Sequence, residues 1–253
     1  NIAKEVKMRL QLNCDLGEGL DIHTMGIDEH IMPYIDMANL ACGFHAGDPL
    51  TMSKSVALAV KHGVDVGAHP AYPDLEGFGR RDMQCSPEEI EAMILYQIGA
   101  LDTICQVHNT KVDYVKPHGA LYNTMMRDEM TFKSILTAIH KYDASLKLMI
   151  LATGKNDHYQ GIADEFGVSL LFEAFADRAY TKEGSLVPRS QKGAVIEDVE
   201  HIIERVKSLT LSNTIQSIEG DTLILEADTL CVHGDNQEAL AIIKALHGLG
   251  NGV

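Results

Sequence analysis

The chain has 253 residues, 45% of them hydrophobic, and 21 basic against 36 acidic side chains give a formal charge of −15. That is enough apolar material for one sizeable core, and no low-complexity stretch, linker or fixed-period repeat divides it, so residues 1–253 read as a single domain. The acidic balance argues against a phosphate-backbone partner, and no apolar run reaches membrane-spanning length, so neither nucleic acid nor membrane is expected.

The polar, basic stretch from Asn1 to Arg9 lacks the apolar core of a secretory signal, which makes the cytoplasm the expected compartment. The five cysteines include no Cys-x-x-Cys pair, which suggests neither a disulfide framework nor a thiolate zinc knuckle. Cys14, Cys42 and Cys231 read as small buried fillers.

In chain order, Arg9 to Cys14 alternates into an apolar strand and Ile35 to Cys42 gives a second extended run. Asp48 caps a helix that has Pro49 at its first position and continues to about His62. Val64 to Ala68 is a short buried strand, and Ser86-Pro87-Glu88-Glu89 is a capping box opening a long helix with Ile90, Ile94, Ile98 and Leu101 on one stripe. Lys111 to Val115 is a strand, followed by a helical segment after Pro117 and another from Phe132 to His140. Strand Leu146 to Leu151, helix Asp157 to Phe166 and strand Val168 to Phe175 come next, then a long loop containing Gly184 and Pro188. A helix is expected over Val195 to Leu209, a hairpin across Glu219-Gly220-Asp221, a strand from Leu230 to His233 and a last helix from Gln237 to Leu246.

Strand and helix alternate almost throughout, which implies an α/β fold with a parallel sheet under covering helices. At least six strand ends carry polar motifs, and that favours a barrel, whose strand ends surround one pocket, over a doubly wound sheet with one switch point. No G-x-G-x-x-G follows the first strand and no phosphate-cradling G-x-x-x-x-G-K-[ST] occurs, so a Rossmann dehydrogenase and a P-loop NTPase are unsupported.

Several long motifs, Asn13-x-Asp15-Leu16-Gly17-Glu18-Gly19, the run Asn39 to Asp48, Gly67-Ala68-His69-Pro70-x-Tyr72-Pro73-Asp74, Gly77-Phe78-Gly79-Arg80-Arg81, the run Lys116 to Asn123, and Glu173-x-Phe175-Ala176-Asp177-Arg178, resemble those of the LamB/YcsF family from about Leu10 to the last helix. The resemblance implies a seven-stranded β/α barrel of the glycoside hydrolase/deacetylase type. It also implies the role of the A component of a 5-oxoprolinase: opening of 5-oxo-L-proline to L-glutamate at the expense of ATP, with Mg2+, in a complex with the B and C subunits. No sequence feature assigns the ATP site among the three components.

A five-membered lactam resists hydrolysis, so such a site must supply a base for water, a proton for nitrogen, cations for phosphate and oxyanion, and an anchor for the substrate carboxylate. Asp15, placed just after the first strand, is the leading candidate for a central carboxylate, the alternative being a loop-bracing cap. His45, His69 and His118 end three other strands. By position, Asp15, His69 and His118 match the one-Asp, two-His metal trio of related barrel deacetylases, which leaves His45 as catalytic acid or base, with His118 and Lys116 also catalytic candidates. A bound divalent metal is therefore an expectation of this reading. Substrate contacts are expected from Glu18, Arg80, Arg81, Tyr72, Asn123, Arg178 and His233, with Arg189, Tyr122 and Asp235 as further wall candidates. Rival readings are a stand-alone metal-dependent amidase or deacetylase, and a non-catalytic component that binds substrate or organises the complex.

Overall fold

Seven of the apolar runs pair side by side, all parallel, into a closed barrel in a computed structural model that describes residues 10–19, 25–232 and 239–250. Around the barrel run β1 (Gln11–Leu16), β2 (Met37–Ala41), β3 (Asp65–His69), β4 (Tyr114–Val115), β5 (Lys147–Leu151), β6 (Leu170–Phe175) and β9 (Thr229–Cys231), which closes on β1. Between β6 and β9 in sequence, β7 (Thr214–Gln216) and β8 (Thr222–Ile224) form the expected antiparallel hairpin outside the barrel.

Helices α2 (Pro49–His62), α3 (Pro87–Val107), α4 (Gly119–Arg127), α5 (Glu129–Asp143), α6 (Asn156–Asp164), α7 (Val199–Ser212) and α8 (Ala239–Gly250) carry the chain between strands and past the last one. The expected caps form: Asp48 accepts from the Leu50 and Thr51 N–H groups, and Ser86 and Glu89 make a reciprocal capping box. A helix not foreseen in the sequence, α1 (Met25–Ile31), follows the first strand, and its Asp28 accepts from Gly17 N–H at 2.9 Å. The helix expected from Val195 begins instead at Val199. Asp198 caps it through His201 N–H, and Ala194 and Ile196 are hydrogen-bonded back to Ala179 and Asp177, which draws them into the preceding loop.

Strand alternation sorts the side chains into two environments. Cys14, Ala38, Leu40, Ala68, Val115, Leu148 and Ile150 point outward and are buried against the helices, in a core with Ile90, Ile94, Ile98 and Leu101 of α3. Burying each large aliphatic side chain there contributes roughly 1.5–3 kcal/mol. Residues of the opposite parity face the barrel axis: Met37, Tyr114, Met149 and Leu171 make a separate apolar cluster, while Asn13, Asp15, Asn39, Lys116 and Glu173 form a hydrogen-bonded and ion-paired group. Gly67 has a backbone reason. A Cβ there would collide with the Tyr114 ring, which passes over β3 to donate its hydroxyl to Asn39 Oδ1 of β2 at 2.6 Å.

Candidate active site

Parallel pairing brings the strand ends to one face, with Asp15 level with Asn39 and Ala41 level with His69. A cavity of about 520 Å³ opens there. Asp15, Glu18, His69, Lys116 and His118 line it, and Arg80, Arg127, Arg178 and Arg189 bring four guanidinium groups to its wall. This cationic lining stands against the chain's net charge of −15 and suits a ligand carrying carboxylate or phosphate.

Lys116 is buried and reaches across the barrel. Its ammonium donates to Asp15 Oδ1 at 2.9 Å, Asn13 Oδ1 at 3.2 Å and Cys231 Sγ at 3.3 Å, and lies 2.7 Å from Glu173 Oε1 in an ion pair whose alignment is not that of a hydrogen bond. Burial alone would push its pKa down, but Asp15, Cys231 and Glu173 outweigh that and hold it well above the usual lysine range. The lysine is therefore an internal cation. Asp15 Oδ1 also accepts from Asn39 Nδ2 at 2.8 Å, while Oδ2 lies 3.5 Å from His69 Nε2.

The three strand-end histidines meet. His45 stacks on His118 with ring centroids 3.8 Å apart, and His69 stands edge-on to both. Glu18 joins them, with Oε1 at 2.9 Å from His45 Nε2, 3.4 Å from His118 Nδ1 and 3.9 Å from His69 Nε2. His69 Nδ1 donates to the Lys116 carbonyl at 2.6 Å and His118 Nε2 to the Phe78 carbonyl at 2.9 Å. These bonds fix the tautomers, so the remaining nitrogens, His69 Nε2 and His118 Nδ1, turn lone pairs toward each other at 2.9 Å. Burial, followed by the neighbouring histidines, pushes the pKa of His118 well below the usual value, and burial with His69 and Arg80 does the same for His45. Buried His45 Nδ1 has no hydrogen-bond partner among the described residues.

Lone pairs of neutral imidazoles facing one another beside a carboxylate repel unless a cation or proton lies between them. Glu18, His45, His69 and His118 offer ligand atoms all within 4.8 Å of one another, which fits a divalent metal bound by nitrogen and oxygen. The backbone carbonyls behind His69 and His118 are the outer hydrogen bonds that orient metal-binding imidazoles. Among the described residues, this cluster takes Glu18 and His45 in addition to the expected His69 and His118. Asp15 lies beside it, bonded to Lys116.

The loop over the cluster is strained. Phe78 has φ of 53°, and Gly79, with φ of 65°, sits where a Cβ would come within 2.8 Å of His45 Cβ and 2.9 Å of His118 Cδ2. Asp74 holds this loop through Gly77 N–H and the Arg81 side chain.

The other sequence candidates separate by position. Arg80, Asn123, Arg178 and Tyr122 line the cavity, as does Arg189. Arg178 is buried, donates to the Ala194 and Val187 carbonyls, and has its pKa lowered to about 10 by burial and then by Arg189. Arg81 braces Asp74 and Tyr72 is buried, and neither lines the cavity. His233 and Asp235 lie outside the described residues. Asn13, Asn39, Tyr114 and Arg127 were not singled out from sequence. The signal for the asparagines was a polar residue inside an apolar strand, which burial obliges to find a partner.

Comparison with known proteins agrees with this architecture. The model of the LamB/YcsF family matches residues 10–249. One of the 5-oxoprolinase A subunits of Pseudomonas putida, the second by its name, is 54% identical over 245 residues, covering 95% of each chain. The 5-oxoprolinase A subunit of Chromohalobacter salexigens is 51% identical over 242 residues, covering 96% of this chain and 97% of that one. A crystal structure of the lactam utilization protein from Thermus thermophilus superimposes with a TM-score of 0.87 at 41% identity, over 96% of this chain and 98% of that one. With fold, strand-end motifs and whole-length similarity in agreement, the chain belongs to the LamB/YcsF family.

Proposed function

We propose that this chain is the A component of an ATP-dependent 5-oxoprolinase, working in the cytoplasm with the B and C subunits to open 5-oxo-L-proline to L-glutamate while ATP, as its Mg2+ complex, becomes ADP and phosphate. The observation that carries this reading is one cavity lined by the Asp15 carboxylate, by four guanidiniums, and by Glu18, His69 and His118 of a metal-type cluster that buried His45 completes. The names of its relatives, 5-oxoprolinase A subunits and a lactam utilization protein, point the same way.

Arg80, Arg178 and Asn123, which line the cavity, would anchor the substrate carboxylate or an attached phosphoryl group. Glu18, His45, His69 and His118 would hold the divalent ion, which when bound supplies Lewis-acid polarisation of the lactam oxygen or activation of water. With the histidines committed to that role, Asp15 takes the proton of the attacking water, and Lys116 holds its carboxylate in orientation. The low pKa of His45 and His118 keeps both rings neutral, the form in which they bind a cation.

The test is glutamate and ADP formation from 5-oxoproline and ATP, using this chain with the B and C subunits, each omitted in turn, and Asp15→Asn in parallel. Coupled turnover that needs all three chains and falls by roughly a hundredfold or more in the variant is expected. Turnover by this chain alone without ATP would make it a free-standing amidase, and an unimpaired Asp15→Asn would make it a scaffold.

A further inference from the structure

We propose that Glu173 is a positioning residue for Asp15, acting through Lys116, an inference that rests on the role given to Asp15 above. Glu173 lies in the apolar strand Leu-Leu-Phe-Glu-Ala-Phe of β6, fully buried and facing the barrel axis. A carboxylate costs several kcal/mol to bury unless it is paired, so its presence there calls for a partner and a reason.

Both of its oxygens are engaged. Oε1 lies 2.7 Å from Lys116 Nζ, and Oε2 accepts the Tyr122 hydroxyl at 3.0 Å. The ammonium also contacts Asp15, Asn13 and Cys231, so four acceptors surround its three N–H groups. Lys116 therefore cannot contact a ligand without giving up a bond already made, and its action on the cavity passes through Asp15. Glu173 and Asp15, from β6 and β1, the two strands that flank β9, hold between them the ammonium that reaches over from β4. The ammonium and Asn39 together fix Asp15 Oδ1, and this orients Oδ2 toward His69. Tyr122, a wall residue of the cavity, fixes the far end of the relay. Glu173 itself does not line the cavity, so its effect is on orientation and not on substrate contact.

The experiment compares Glu173→Gln, Glu173→Asp and Tyr122→Phe in the three-component complex, reading kcat and KM separately. It also follows the Lys116 ammonium by nitrogen-15 NMR in the full chain alone. Glu173→Gln is nearly isosteric and removes only charge; kcat is expected to fall about tenfold or more, with KM for 5-oxoproline within about twofold of wild type. Glu173→Asp restores the charge and should recover part of that loss, while Tyr122→Phe leaves the ion pair intact and should cost less than Gln. The wild-type ammonium should exchange slowly with solvent, and that protection should drop in Glu173→Gln. A Gln variant with unchanged kcat, or with an ammonium as protected as in wild type, overturns the proposal. Should Glu173→Gln fail to fold, Glu173→Asp decides: a lower kcat at constant KM supports positioning and an unchanged kcat overturns it. If the wild-type complex does not turn over 5-oxoproline, the substrate reading fails, whereas the ammonium signal still decides whether Glu173 holds Lys116.

Discussion

His69 Nε2 and His118 Nδ1 face each other at 2.9 Å while the opposite nitrogen of each ring donates to a backbone carbonyl. Tetrahedral ligands with bonds of roughly 2.0–2.1 Å stand about 3.3 Å apart, so the pair is close to the spacing a shared ion imposes. The arrangement is built by the end of β3, by the loop through Phe78 that follows it, and by the turn after β4, with His69 and His118 separated by 49 positions.

One equivalent of divalent metal is therefore expected in the purified protein. Glu18→Gln and His69→Ala should each weaken its binding about tenfold or more, while Lys133→Ala, on α5 in an ion pair with Glu129, should leave it unchanged. Elemental analysis and titration of the stripped protein measure this directly. Full turnover in metal-free protein would show that the cluster holds a proton instead.

Gly79→Ala should be costly for function and fold together. An alanine there must adopt a φ of 65° and press its methyl on His45 and His118, for an expected loss of roughly 2–4 kcal/mol. Gly161→Ala, in α6 with open space around it, is the contrast and should stabilise by about 0.5–1 kcal/mol. Denaturant unfolding of the two variants checks both signs, and equal effects would remove the argument that the loop needs glycine.

Asp28 sets a pH dependence. Burial chiefly, with Glu18 adding to it and the Gly17 N–H opposing, raises its pKa from 3.8 to about 6. Between those values the folded chain binds more protons than the unfolded one. The stability contributed by the protonated carboxyl is complete below about 3.8 and is lost as pH rises through about 6. Asp28→Asn, which keeps an acceptor for Gly17, should stabilise by about 1–2 kcal/mol at pH 8 and by little near pH 4. Thermal melts across that range measure it; a gain independent of pH would point to packing instead.

Much of the barrel was legible because its code is local. Apolar runs of strand length alternate with helices whose starts carry Asp48-Pro49 or Ser86-Pro87-Glu88-Glu89, and these caps form as written. The α1 helix was less legible, having only seven residues and no strong stripe to separate it from loop. At the site, strand-end placement was enough to group His45, His69 and His118, since a parallel barrel must gather them. Sequence position favoured Asp15 over Glu18 as the carboxylate grouped with the imidazoles, whereas Glu18 is the one that stands among all three rings. That depends on how Gly17, with φ of 70°, turns the chain after β1. Position in the sequence could not separate Arg80, on the cavity wall, from Arg81, which faces Asp74, because neighbouring side chains of a turn diverge according to backbone angles that composition does not encode.

The first strand is hydrogen-bonded to the last, with Asn13 Nδ2 donating to Thr229 Oγ1 at 2.9 Å across 216 positions, and Lys116 touches residues of both. During synthesis, therefore, the polar layer cannot assemble until β9 has left the ribosome. Until then β1 and β6 are open edges able to pair with other chains. A product truncated before Thr229 is thus expected to aggregate and not to persist as a weakly active enzyme.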